Sequence, residues 1–207
     1  MLKKSTILIL CGFLTLNLQA QNFGGGIILG LSTSQVDGDN LGGFYKAGGV
    51  FGVFANTSIS QLLSFQMEIA FIQKGSNNPK MNDSTHPDFG IQDISSSYIE
   101  IPLLLQYHQS NKLKIETGWL SAYLIDGYYN DNLGRMDYDN ASPFIKYDHG
   151  LILGIDYTFS EKLSLNTRLS RSILPIGVED YDGKDLYNSS RKGKYNSVLS
   201  FSIHYNF

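Results

Sequence analysis

The chain ends, from Tyr195 to Phe207, in a segment where large apolar side chains alternate with small or polar ones. From Leu199 onward the odd positions are Leu, Phe, Ile, Tyr and Phe, and the even positions are Ser, Ser, His and Asn. Successive side chains of a β-strand point to opposite faces, so the pattern predicts a strand with one apolar face that continues to the last residue.

Seven more segments show the same period-two alternation and are also predicted to be strands. In the clearest one, every odd residue from Leu63 to Phe71 is apolar, while Ser64, Gln66 and Glu68 alternate with them. The seven segments lie at about 23–36, 44–59, 63–71, 94–108, 112–127, 144–159 and 163–175.

The connections between the predicted strands alternate in length. Tight joints lie near residues 60–61, 109–111 and 160–162, and longer connections lie at about 37–43, 76–93, 128–143 and 176–192. Short turns at one end and long loops at the other are typical of bacterial membrane barrels, whose short turns face the periplasm. The predicted fold class is therefore all-β: an eight-stranded antiparallel up-and-down transmembrane β-barrel with both termini at the periplasmic end.

A water-soluble eight-stranded barrel of the lipocalin type is the structural alternative. It would bury the apolar residues inside and expose the polar ones. The aromatic chain end at Phe207 and the scarcity of charge on the apolar faces favour the membrane barrel, because its last strand must face lipid along its whole length.

Residues 1–20 have the pattern of a secretory signal peptide. Lys3 and Lys4 precede an apolar stretch from Thr6 to Leu18, and Ala20 is a suitable last residue before cleavage. The stretch is too short for a membrane-spanning helix, and no later segment is apolar enough for one. We expect export, a single barrel domain over 21–207 and a location in the cell outer membrane.

The single cysteine and the charge balance exclude several function classes. Cys11 lies in the predicted signal peptide after Leu10, where lipoprotein processing needs a small residue, so we expect no lipid anchor and no disulfide. Removing the two lysines of the signal shifts the formal charge from −3 to about −5. An acidic chain lacks the basic face of a nucleic-acid-binding protein, so no nucleic-acid partner is expected.

The outward face is predicted to be apolar in the middle and aromatic at its ends. Aromatic residues form girdles at both lipid–water interfaces of membrane barrels, although ordinary packing in a soluble β-protein is the alternative for each of them. The candidate interfacial residues are Tyr107, Trp119, Tyr123, Tyr157, Phe159 and Tyr205. The candidate signal for the barrel-assembly machinery consists of Phe201, Tyr205 and Phe207.

The inward face carries ionisable residues on several strands. An eight-stranded barrel is only wide enough to be filled by side chains, so inward charges must pair or be hydrated. A ligand or proton pathway is the functional alternative to a structural network. The predicted network gathers acids around Arg168 and consists of Glu68, Glu100, Glu116, Asp156 and Arg168. Further residues expected on the inward face are Lys114, Asp148 and Arg171.

Glu100 and Pro102 are both predicted to face the interior. Pro102 cannot donate to the strand ladder, so it marks a bulge or a local break. Glu100 is expected to accept from an inward cation, with Arg168 as the first candidate.

No catalytic residue, metal site or cofactor is predicted. The histidines at 86, 108, 149 and 204 lack zinc-ligand spacing. Small barrels that act on lipids need a Ser–His pair or an acid–His group at the lipid face or rim. His149 and Ser170 lie on neighbouring predicted strands but on opposite faces, so we expect no enzyme activity.

Residues 98–107 have the sequence Tyr-Ile-Glu-Ile-Pro-Leu-Leu-Leu-Gln-Tyr. This segment resembles the fourth strand of the PorT-like outer-membrane β-barrel family, which commonly has Tyr-Leu-Glu-Ile-Pro-Leu-Leu-Leu-Lys-Tyr there. Gln106 stands where that family often has Lys. The other matching segments are 49–55, 65–75, 116–124 and the chain end.

The resemblance implies an eight-stranded outer-membrane barrel of Gram-negative bacteria without catalytic residues. The founding member of the family is linked to the type IX secretion and gliding machinery, so an accessory role beside secretion-machine proteins is one alternative function. The function expected first is a structural or binding role in contact with outer-membrane lipid. A lipid-modifying enzyme is the third possibility.

Overall fold

The computed structural model describes residues 23–38, 43–77, 93–131, 134–135, 144–177 and 194–207. Its strands are β1 (Phe23–Asp37), β2 (Lys46–Ser58), β3 (Leu63–Asn77), β4 (Asp93–His108), β5 (Leu113–Asp131), β6 (Gly134–Arg135), β7 (Tyr147–Thr158), β8 (Leu163–Ser172) and β9 (Tyr195–Asn206). The predicted signal peptide at 1–20 lies outside the described residues. Within these ranges, no helix is long and apolar enough to cross a membrane.

Eight long strands of the described chain close into one antiparallel ring, in the order β1-β2-β3-β4-β5-β7-β8-β9, with β9 paired to β1. The closing ladder runs from Gly26↔Asn206 to Asp37↔Tyr195, and the short β6 only extends β5. Closure removes the open sheet edges whose polar groups lipid could not satisfy. The predicted eight-stranded antiparallel barrel is confirmed.

The two faces of the barrel wall have opposite chemistry. Leu31 and Leu153 face outward and are 69% and 60% exposed, whereas Glu116 and Asn166 face inward and are 0% exposed. A soluble barrel would bury its apolar residues and expose its polar ones. This inversion fits an apolar solvent around the barrel and rules out the lipocalin-type alternative.

Three four-residue turns, at 59–62, 109–112 and 159–162, lie at the same end of the barrel as both chain ends of the ring. In the first turn, Ser60 Oγ accepts the backbone N–H of Leu63 at 3.1 Å, and the serines at 110 and 160 make the equivalent bond. Each hydroxyl thus provides an acceptor for the amide that begins the next strand. We call this end the turn end and the opposite end the loop end.

The β4–β5 pairing contains a one-residue register shift between Ser97 and Tyr98. At Pro102 the β3–β4 ladder is interrupted and resumes without a change of register. Pro102 lacks an N–H group and therefore causes only the predicted local break. The bulge predicted as the other outcome at Pro102 lies instead near the loop end of the strand.

The interior is layered along the barrel axis, and this layering positions the charged residues. Polar and charged side chains fill the middle and the turn end, with a small apolar cluster of Leu104, Leu120 and Ile152 among them. A larger buried apolar layer lies toward the loop end. It includes Val36, Ile72, Ile94, Tyr98, Leu124, Tyr129, Phe144, Ile176 and Val198.

Candidate functional site

The centre of the interior is an ion pair that crosses the lumen. Arg168 on β8 donates from Nη1 to Glu68 Oε2 at 2.6 Å and from Nη2 to Glu68 Oε1 at 2.7 Å. Glu68 lies on β3, and three strands separate β3 from β8 on either side of the ring. The contact therefore joins diametrically opposite parts of the wall, in the fixed geometry of a bidentate arginine–carboxylate pair.

Glu116 on β5 binds the same arginine from a third direction. Its Oε1 accepts from Arg168 Nε, and Gln106 and Asn166 donate to its carboxylate at 3.1 and 3.0 Å. Gly154 lies between Glu116 and Arg168 in the ladder. A Cβ added there would come within 2.7 Å of Glu116 Oε1 and 2.9 Å of Arg168 Cγ, so the missing side chain provides the space for this pair.

Asp156 lies in a neighbouring group nearer the turn end and contacts a different cation. Its carboxylate accepts from Ser164 Oγ at 2.8 Å, and Lys114 Nζ lies 3.5 Å away. His204 Nδ1 lies 3.8 Å from the same carboxylate. Asn166 connects the two groups, since its amide donates to Glu116 and, at 3.5 Å, to Asp156.

Glu100 belongs to a second ion-pair network, nearer the loop end. Lys74 Nζ contacts Glu100 Oε1 and lies 3.4 Å from Asp148 Oδ2. Asn196 donates to that same Asp148 oxygen at 2.9 Å, and Lys74 Nζ lies 4.9 Å from the centre of the Tyr98 ring. Lys74 is thus buried against two carboxylates and an aromatic face.

The predicted pairing of Glu100 with Arg168 is wrong, because Lys74 holds Glu100 while Arg168 holds Glu68 and Glu116. Lys74 was missed because the alternation of β3 was followed only to Phe71. The strand continues to Asn77, and the even-numbered residues face inward as far as Lys74. Extending the period by three residues would have found this cation.

Arg171 points outward, contrary to the prediction. It shares the parity of Leu165 and Leu169 on β8, and its side chain is 63% exposed. Its Nη2 lies 2.9 Å from Asp37 Oδ2 on the outer surface of the barrel. The remaining predicted inward residues, Lys114 and Asp148, are on the interior side.

His149 contacts a serine other than the one considered from the sequence. Ser170 lies on the opposite face, as expected, but Ser121 Oγ on the outward face lies 3.2 Å from His149 Nδ1. Trp119 Nε1 donates to the same Ser121 oxygen at 3.0 Å. The β5–β7 register, which places Ser121 opposite His149, is the information that the sequence alone did not give.

The predicted interfacial aromatics are all on the outward surface. Those near the turn end are Tyr107, Tyr157, Phe159 and Tyr205, and those nearer the loop end are Trp119 and Tyr123. The residues of the predicted assembly signal, Phe201, Tyr205 and Phe207, also face outward. Their roles at the interface and in assembly stay predictions.

In the described part of the chain, no three His, Cys, Asp or Glu residues are grouped so that they could hold a metal ion. The buried charges face one another, and the Arg168–Glu68 pair obstructs the lumen at mid-depth. The chemistry of this interior is therefore that of a cross-brace between strands.

A closed eight-stranded barrel with a lipid-facing apolar surface and a filled polar interior is the structure of an outer-membrane β-barrel protein. A family model described as Outer membrane protein beta-barrel domain matches residues 19–176, so the chain belongs to that family and is a protein of the outer membrane. The narrower PorT-like assignment and the cleavage of residues 1–20 stay predictions.

Solved structures share this fold at low sequence identity. Ail, the attachment invasion locus protein of Yersinia pestis, in complex with the heparin analogue sucrose octasulfate, matches with a TM-score of 0.51 and 10% identity over 90% of this chain and 99% of Ail. Neisserial surface protein A matches with a TM-score of 0.52 and 11% identity over 91% of this chain and all of that chain. The comparison with curated proteins gives no match.

Proposed function

We propose that the protein is an integral outer-membrane barrel with a structural or binding role and with neither channel nor catalytic activity. The observation that carries this proposal is the Arg168–Glu68 pair, which spans the lumen between opposite strands. A solute moving along the axis would have to break a buried, bidentate ion pair, which is costly in a medium of low dielectric constant. Because the lumen is blocked, other molecules are expected to bind at the outer surface and at the loop end.

Reconstitution into planar bilayers tests this proposal. We expect no steady ohmic conductance from the purified barrel, whereas a sixteen-stranded porin inserted in the same way conducts through its water-filled lumen. A stable open conductance from the barrel would contradict the proposal.

An accessory role in a secretion machine is an alternative supported by the PorT-like segment at 98–107. Crosslinking in intact outer membranes followed by mass spectrometry tests it. Recovery of several secretion-machine proteins in a constant ratio would favour this role, and recovery of the barrel alone would favour the first proposal.

A lipid-modifying enzyme is the other alternative, because Ser121 and His149 are in contact on the lipid-facing surface. A Ser–His pair is the core of many hydrolytic sites, but such a base is normally oriented by a third group. Among the described residues no carboxylate contacts His149, so a lipid-modifying enzyme remains the third possibility. Outer-membrane lipids that lose an acyl chain with the wild type but not with Ser121→Ala would establish it.

A further inference from the structure

The ionisable groups of the second ion-pair network do not balance in charge. Lys74 on β3 is held by Glu100 on β4 and by Asp148 on β7, so one cation faces two acids. The side chains of Lys74, Glu100 and Asp148 are only 1%, 9% and 0% exposed. Uncompensated charge is costly in such a place, and a buried carboxyl group avoids the cost by keeping its proton. We call these three residues and the adjoining Tyr98 and Asn196 the Lys74 network.

The neighbouring cations do not supply the missing charge, because they bind other groups. Lys46 Nζ lies 2.7 and 3.0 Å from the two carboxylate oxygens of Asp93. Lys194 Nζ donates to the Tyr129 hydroxyl at 2.7 Å and lies 4.5 Å from the centre of that ring. His149 adjoins the network in sequence but lies on the outward face of β7.

The other surroundings of the Lys74 network are neutral or acidic. Ser34 on β1, Leu124 on β5 and Ser172 on β8 are placed against it by hydrogen bonds and by ladder pairing. None of these side chains ionises near neutral pH. On the turn-end side, Glu68 is another acid, and Arg168 holds it. The excess negative charge must therefore be relieved inside the network itself.

Two buried oxygen atoms of the network also lack a donor. Asn196 Nδ2 donates to Asp148 Oδ2 at 2.9 Å, but the Oδ1 atoms of both side chains accept no hydrogen bond in the described part of the chain. The Tyr98 hydroxyl, buried in the same network, bonds to neither of them. Buried acceptors are normally satisfied, so these two oxygens indicate that a further proton donor is required. Protonation of a carboxyl group supplies that donor without adding a larger atom.

The network around Arg168 differs because it has other ways to relieve its charge. It also has one carboxylate more than it has cations, three against two. However, His204 Nδ1 lies 3.8 Å from Asp156, so an imidazole is available there to carry a proton. Lys114, which also contacts Asp156, is 23% exposed and opens that group to solvent at the turn end. Among its described members, the Lys74 network has neither a histidine nor an exposed charge.

We propose that the Lys74 network is a buried proton-binding site, in which Glu100 and Asp148 share one proton at neutral pH. Two carboxyl groups in one site retain a proton because they cannot both ionise at low cost. In the unfolded chain both groups ionise, so the folded barrel binds one proton more. Its stability should therefore fall as the pH rises, which is opposite to the effect of an ordinary paired carboxylate. This inference concerns the lumen and does not depend on the binding role proposed for the barrel.

The pH dependence of unfolding tests the proposal, with the full barrel in lipid vesicles and urea as the denaturant. Glu100→Gln leaves Lys74 with Asp148 as a single counter-ion, so this variant needs no proton. Around neutral pH, the unfolding constant of the wild type should rise about tenfold per pH unit relative to the variant. Asp148→Asn keeps the contact of Lys74 with Glu100 and should show the same difference, so either variant suffices if the other does not fold.

Asp93→Asn is the matched control, because Asp93 forms a one-to-one pair with Lys46 outside the network. Its stability should change with pH in parallel with that of the wild type. Infrared spectra of the folded barrel at neutral pH give a second readout, since a protonated carboxyl group has a carbonyl band separate from those of a carboxylate. This band should lose intensity in Glu100→Gln and in Asp148→Asn but not in Asp93→Asn.

Two results would overturn the inference. One is a parallel pH dependence of the wild type and Glu100→Gln, with no difference in the carboxyl band. The other is a stability that follows the sodium concentration and not the pH, because a bound metal cation would then balance the two carboxylates in place of the proton.

Discussion

Arg168 and Glu68 face each other across the full width of the barrel, and their two hydrogen bonds join residues 100 positions apart in the sequence. Replacing Arg168 with Met would leave Glu68 and Glu116 buried without a cation. Breaking a buried ion pair in this way costs about 3–5 kcal/mol, so we expect that loss in the free energy of unfolding. Urea unfolding of the barrel in lipid vesicles measures it.

Arg135 provides the control for this substitution, because its ion pair with Asp126 is on the surface and its side chain is 59% exposed. Arg135→Met should change the free energy of unfolding by about 1 kcal/mol or less. Equal effects of Arg168→Met and Arg135→Met would show that the cross-brace does not stabilise the fold.

Gly154 is expected to tolerate no side chain. In Gly154→Ala the new Cβ would meet Glu116 Oε1 and Arg168 Cγ at under 3 Å, and both groups are held by the ion pair and cannot move away cheaply. Overpacking of this kind costs about 1–3 kcal/mol. Gly49→Ala is the matched change, since its nearest neighbour is Gln73 Oε1 at 3.8 Å. Thermal unfolding should separate the two variants, with the Gly49 variant at wild-type stability or above.

Lys74 should matter more than either of its partners. Lys74→Met leaves Glu100 and Asp148 as two buried carboxylates without a cation, whereas Glu100→Gln leaves Lys74 paired with Asp148. We expect a loss of about 3–5 kcal/mol in the free energy of unfolding for the lysine variant and a smaller loss for Glu100→Gln. If Glu100→Gln has no effect on unfolding in detergent, the contact between Glu100 and Lys74 contributes nothing to stability.

Charges placed on the lipid-facing surface test the depth of the apolar band. Leu153 lies near its middle and Phe159 in the predicted aromatic girdle at the turn end. Arginine should cost about 2–4 kcal/mol at residue 153 and about 0–1 kcal/mol at residue 159, because the penalty falls toward the interface. Reversible folding into vesicles gives both values, and similar penalties would contradict the predicted position of Phe159.

Phe207 allows the predicted assembly signal to be separated from stability. Phe207→Ser removes an 82% exposed ring at the chain end and leaves the interior contacts intact. We expect less assembled barrel in the outer membrane of cells but unchanged refolding of the purified protein in detergent. Comparing surface protease protection with refolding yield makes the distinction, and normal assembly in cells would rule out this residue as a signal.

Alternation along the strands was sufficient to predict the fold, because each strand spans two environments of opposite polarity. Odd-numbered residues such as Leu153 face the lipid, whereas even-numbered residues such as Glu116 and Arg168 face the lumen. This alternation can be recognised within each strand without knowing which strands are its neighbours. The inward position predicted for Arg171 was wrong because the alternation was not applied to the last residues of β8.

The partners of the charged residues could not be predicted from alternation. Whether Glu100 meets Arg168 or Lys74 depends on the relative heights of strands across the lumen, and this height is set by the stagger of the whole ring. Ser121 and His149 likewise meet through the register of β5 with β7, which the alternation within each strand does not determine.

The span of the Arg168–Glu68 pair also has a consequence for biogenesis. Glu68 lies on the third strand of the ring and Arg168 on the seventh. If the strands are added in chain order, Glu68 has no counter-ion from Arg168 until the wall is nearly complete. A chain that stalls before β8 lacks the cation shared by Glu68 and Glu116, and a finished one contains it. The last part of the ring to form therefore also supplies the positive charge that Glu68 and Glu116 need, so an unfinished barrel has a more acidic lumen than a mature one.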